Sequence, residues 1–164
     1  MKSLKNGQSG LVSTKGGFTL IEILVVIGII AILAAIVIIA INPARQFAQA
    51  RNSQRQSNLN TILNAIGQNM ADNKGVFGGV CSGTTLPTPT ATTSIDNTTG
   101  GSGKNLSCLS PTYIPSGIPT DPSYSSGPDT FYDIAVDGNG RVTVCAPNAA
   151  EAAIPGSAQI CVTR

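Results

Sequence analysis

Residues 15–41 read KGGFTLIEILVVIGIIAILAAIVIIAI, and this stretch decides the fold. From position 18 to 41, 21 of 24 residues are apolar, and positions 23–41 hold neither a charge nor a hydroxyl. Wound as a helix rising ~1.5 Å per residue, the 19 residues of 23–41 reach ~28 Å, close to a bilayer's hydrocarbon thickness. The segment has the length and composition of a membrane span. A cleaved secretory signal has a shorter apolar region, ~7–15 residues, with a small-x-small site close behind it. Ala48-Gln49-Ala50 has that form but lies seven residues past the run and beyond Pro43. Lys2, Lys5 and Lys15 precede the span and Arg45, Arg51 and Arg55 follow it, so flanking charge does not set its orientation. Glu22 is the residue a plain anchor leaves unexplained, because a carboxylate at mid-bilayer costs at least ~2.5 kcal/mol and calls for a partner.

With its upstream neighbours, Gly17-Phe18-Thr19-Leu20-Ile21-Glu22 resembles the class III signal of type IV pilins and pseudopilins, and each of these six positions matches that motif. The resemblance is strong over about residues 15–40 and weaker to about Met70. It implies that prepilin peptidase removes a leader of residues 1–17 by cutting after Gly17, and that the new N-terminal Phe18 is methylated. It also implies that Glu22 pairs with the Phe18 amine of a neighbouring subunit during assembly. Electrostatics agrees: an α-ammonium on Phe18 would lie about one helical turn from Glu22, where the two charges offset each other. Loss of the leader removes all three early lysines and leaves seven basic against eight acidic residues in 147.

Leu59, Ile62, Leu63, Ile66 and Met70 follow at offsets 0, 3, 4, 7 and 11, one face of an α-helix that needs an apolar cover. Residues 18–71 thus read as a helix of ~80 Å, with 18–41 as span and 42–71 as amphipathic stalk. Pro43 interrupts or bends it by removing an amide and constraining Asn42, and Gly28 is a second weak point. Filaments of the resembled family commonly carry a proline near this depth, usually four residues earlier, where this chain has Ile39.

Residues 72–164 form a head in which only 32 of 93 residues are apolar and four bases face seven acids. The whole chain's formal +2 is too small for bulk attraction to nucleic acid. All four cysteines lie here without a CxxC pair, which favours disulfides in an extracytoplasmic domain over a metal site. Residues 75–103, with the Thr/Pro/Gly-rich part at 82–103, read as an exposed irregular loop with little capacity to bury apolar area. Asn97-Thr98-Thr99 and Asn105-Leu106-Ser107 fit the glycosylation sequon, but the linker reading is preferred. Residues 111–128 form another loop, in which Ile118-Pro119-Thr120-Asp121-Pro122 is loosely similar to a proline-rich segment before the final strands of major pseudopilins, some of which bind calcium there. Asp121, Asp129 and Asp133 are the calcium candidates, with solvated loop acids the preferred reading.

Residues 131–136 and 141–145 flank Asp137-Gly138-Asn139-Gly140, a β-hairpin signal. Val142 and Val144 share one strand face, as do Ile160 and Val162, which places Cys145 and Cys161 together on the opposite face. Cys145 is therefore expected to pair with Cys161. By elimination Cys81 pairs with Cys108, one of the three connectivities four cysteines allow.

The expectation is an α+β protein: a long N-terminal α-helix as membrane anchor and filament core, with a small antiparallel β-sheet head packed on its distal half. With no histidine, imidazole bases, Ser-His-Asp triads and His-ligated metals are excluded, and no nucleophile–base pair or Walker loop is present. The chain reads as a non-enzyme without cofactor. The resemblance implies a precursor crossing the inner membrane once, then self-assembly into an extracellular helical filament. Prepilin peptidase, an assembly platform driven by a separate ATPase, and minor pilins would be its partners. Adhesion, motility or DNA uptake would be the filament's work. The alternatives are a pseudopilin of a type II secretion system and, in a different class, a membrane-tethered binding protein.

Overall fold

The computed structural model describes residues 16–89 and 91–164, so the leader's three lysines lie outside the described residues. The chain divides at Asn42 into two compact units. The first contains helix α1, Leu20–Ile41, which runs unbroken through Gly28. Asn42 ends α1 in the left-handed region, with φ 44° and ψ 83°, a conformation that asparagine tolerates better than most residues. Pro43 then opens helix α2, Pro43–Asp72, where its missing amide would be unpaired in any case. The expected interruption near Pro43 thus takes the form of a one-residue break between two helices.

In the second unit, α2 packs on a five-stranded sheet of order β2-β1-β3-β4-β5: β1 Thr92–Asp96, β2 Lys104–Asn105, β3 Asp129–Val136, β4 Val142–Ala146 and β5 Ile160–Thr163. All pairings are antiparallel except β1 with β2. Leu59, Ile62, Leu63 and Ile66 of α2 are buried against Ile95, Tyr132, Ile134, Val142 and Val144, with Met70, Ile160 and Val162 partly buried beside them. Each such aliphatic side chain contributes about 1.5–3 kcal/mol by leaving water.

The reading of 75–103 as irregular loop needs correction. Its residues 92–96 are β1, the sheet's second strand, and it contributes Ile95 and Cys81 to the core. Thr92-Thr93-Ser94-Ile95-Asp96 carries one aliphatic, so alternation cannot reveal it, and pairing with β3 makes the strand. Residues 97–103 fold over the buried Asp96 carboxylate, which accepts the Gly103 amide at 2.7 Å. A Cβ at Gly101 would lie 2.1 Å from Asp96 Oδ2, so only glycine fits that approach.

Between Ser94↔Asp133 and Asp96↔Asp129 the register slips, and Ile95 faces Thr130, Phe131 and Tyr132. Phe131 sits at φ 61° in this bulge and projects outward, edge-on to Tyr124 with ring centroids 6.1 Å apart.

The head holds two disulfides: Cys145 to Cys161, directly opposed across β4 and β5 with Cα atoms 4.1 Å apart, and Cys81 to Cys108. A buried charge cluster adds a third tie. Arg55 of α2 is 1% exposed, and its five donors all have partners. Nε meets Asp121 at 2.7 Å, one terminal nitrogen meets Asn52 at 2.8 Å and Glu151 at 2.5 Å, and the other meets Asp121 at 3.0 Å and Ser123 at 3.4 Å. Arg51 grips the same Glu151 through two bonds, at 2.7 and 2.6 Å. The cluster joins the start of the stalk to two loops far away in sequence.

Two outcomes follow for stability. Replacing Cys145 and Cys161 together by alanine frees a loop of about 15 residues and lowers unfolding free energy by roughly 3 kcal/mol, read by urea titration of the full chain in detergent. The second concerns acid. Hydrogen bonds from Arg51 and then Arg55 hold the Glu151 carboxyl down at about 2, against 4.5 for the unperturbed group. Burial pushes Asp121 up, but bonds from Arg55 and Ser123 outweigh it and hold its carboxyl below the usual range. Both groups bind fewer protons folded than unfolded, so their stabilisation is complete above about pH 4.5 and is lost as pH falls towards about 2. Thermal melts across that window should show the decline, and Glu151→Gln should flatten it.

Candidate functional site

The site begins where α1 begins. Gly16 and Gly17 lie exposed in irregular backbone, and a Cβ on either would meet nothing within 4 Å. Phe18 is 82% exposed. Among the described residues nothing packs on the Gly17–Phe18 peptide, the condition for entering another protein's active site.

Thr19 has extended backbone at φ −80° and ψ 149° and caps the helix. Its hydroxyl oxygen accepts the Glu22 amide at 3.2 Å. The Glu22 carboxylate turns back to accept both the Thr19 amide and the Thr19 hydroxyl, each at 3.1 Å. This reciprocal arrangement is a capping box, which satisfies two otherwise orphaned amides and sets a negative charge against the helix's positive end. It answers part of the cost of Glu22 in apolar surroundings: the carboxylate is solvated locally by a hydroxyl, an amide and the helix dipole. A positive charge on Phe18 would supply the rest.

Beyond Glu22 no charge occurs until Arg45. The described large side chains of α1 are exposed all round, from Leu20 at 81% to Ile39 at 85%. Leu20–Ile39 is long and apolar enough to cross a membrane. A helix that is apolar on every side is stable only in lipid or enclosed by other apolar helices.

The structure brings Gly17, Phe18 and Glu22 together at the head of α1 and places Gly28 inside it and Pro43 at the start of α2. It does not bring the calcium candidates together. Asp121 is committed to Arg55, and among the described residues no group of three acidic, cysteine or histidine side chains gathers to hold a metal. The Arg55 cluster is what sequence reasoning missed, yet a signal exists: Arg55 lies four residues before Leu59, on the apolar stripe itself. A charge on a buried stripe requires a buried counter-charge.

Against this geometry, the family model of the prokaryotic N-terminal methylation motif matches residues 13–40. The match covers the class III signal of type IV pilins and pseudopilins, the segment that prepilin peptidase recognises, and leaves the rest of the chain unmatched. No curated protein and no solved structure matches the chain.

Proposed function

We propose that this chain is the structural subunit of a type IV pilus-like filament. Prepilin peptidase cuts it after Gly17, Phe18 is methylated, and the mature chain polymerises through its N-terminal helix for adhesion, motility or DNA uptake. One observation carries the reading: the Glu22 capping box stands at the head of a helix exposed and apolar on every side, within the methylation motif.

The mechanism is transfer between two apolar environments. In the precursor, α1 lies in the inner membrane as a single span. During assembly it leaves lipid and buries the same surface against α1 helices of other copies, so the hydrophobic term is largely conserved. Glu22 then meets the Phe18 ammonium of a neighbour, which makes the correct register the one without an unpaired charge. The role needs no cofactor. Work comes from a separate ATPase acting on the assembly platform, and minor pilins join the same filament.

Replacing Glu22 with leucine tests the reading. Removing one partner of a desolvated ion pair costs about 3 kcal/mol or more, over a hundredfold in subunit affinity. The Glu22→Leu chain should accumulate in the membrane at the parental level and vanish from the fraction sheared off cells. Its appearance there at the parental level would sink the proposal. A parent chain assembled within the envelope, with none in the sheared fraction, would mark a type II secretion pseudopilin, and an unassembled head displayed by either chain would mark a tether.

A further inference from the structure

The head's charges are almost all answered within the fold, which makes the exceptions informative. Among the described residues, the Lys74 ammonium has no hydrogen bond or ion pair, nor has the Asp133 carboxylate. Asp129, four residues away on the same face, accepts with its carboxylate only the backbone amide of Phe131, at 2.8 Å. Each exception sits beside exposed apolar surface. Lys74 occupies the turn after α2 at φ 59°, with Val76 two residues on and 67% exposed. Asp129, Phe131 and Asp133 alternate along the outer face of β3, where the bulge throws Phe131 outward at 37% exposure.

The two patches match in chemistry, one cationic and aliphatic, the other doubly acidic and aromatic. Within one copy α2, which the turn ends, packs on the sheet's inner face, while Asp129 and Asp133 alternate with the buried Thr130 and Tyr132 and so lie on its outer face. Burial, and then the charge of Asp129, push the Asp133 carboxyl up, so a cation arriving there relieves a strain that the fold leaves unrelieved.

We propose that the Lys74–Val76 turn of one copy docks on the Asp129–Phe131–Asp133 face of the next, with the ammonium between the carboxylates and Val76 against the Phe131 ring. Such a contact joins different patches on the two copies, so it does not close a dimer and can repeat from copy to copy, as an open helical array needs. The inference rests on the filament reading and specifies how successive heads meet.

Charge exchange in the full-length chain tests it. Lys74→Glu and Asp133→Lys, each alone, put like charges face to face and should cut sheared filament by about tenfold, while the double variant returns it to near the parental yield. Lys74 is exposed and Asp133 half-buried on the outer face of β3, and unchanged membrane levels with both disulfides formed would show that the variants fold. Single variants assembling like the parent, or a double variant that stays defective, would overturn the contact. A photo-crosslinking residue at position 76 separates this from failure of the filament reading. It should join to the Phe131 peptide of a second copy in sheared filaments. If the parent forms no sheared filament, the filament reading fails, and absence of the same cross-link between copies in the membrane would dismiss the docking as well.

Discussion

A carboxylate at the head of an otherwise uninterrupted apolar helix is the constraint on which the rest depends. Nineteen residues without a charge or hydroxyl follow Glu22. Its free energy in any apolar medium is set by what surrounds its two oxygens. The Thr19 amide and hydroxyl supply neutral donors, and the helix terminus adds partial positive charge. Neutral donors lower the cost without cancelling the charge, so among the described residues the helix is left with one specific, unmet demand. A cation at its own or a neighbour's N-terminus would meet that demand, and the proposed cleavage after Gly17 would create such a cation four residues away. On the proposed function, processing and assembly are thereby linked through one ion pair.

The head answers a different problem, that of ordering 93 residues with few apolar side chains. The stripe on α2 provides one wall of a small core, and the sheet's inner face provides the other. The outlying loops are held by three long-range ties: two disulfides and the Arg55 cluster. Arg55 is costly to bury, and its five satisfied donors show how that cost is met. The Asp121 and Glu151 loops are fixed by the same bonds. Loops held this way give an outer surface that is reproducible from copy to copy, which suits the proposed filament.

Much of this was legible in the sequence because the signals were local. The processing motif, the span, the α2 stripe and the hairpin around Asp137–Gly140 each need only a window of a few residues. Strand parity in 142–145 and 160–162 placed Cys145 and Cys161 on one face, and the structure opposes them in register. What escaped was made by distant partners. Thr92–Asp96 becomes a strand through β3, its own five residues carrying one aliphatic. Asp121 resembled a loop acid because its guanidinium partner lies 66 positions earlier. Phe131 read as an ordinary strand residue, since the bulge that turns it outward arises only from its pairing with β1.

The central claim is that Phe18 becomes the chain's N-terminus and that Glu22 thereby gains its partner. Mass spectrometry of the N-terminal peptide from sheared-surface and membrane fractions tests it most directly. The account predicts a chain in the sheared fraction beginning at N-methylated Phe18. A chain beginning at Met1 in both fractions would contradict it, because Glu22 would then have no ammonium to meet, and a start after Ala50 would leave a secreted head with no filament-forming helix.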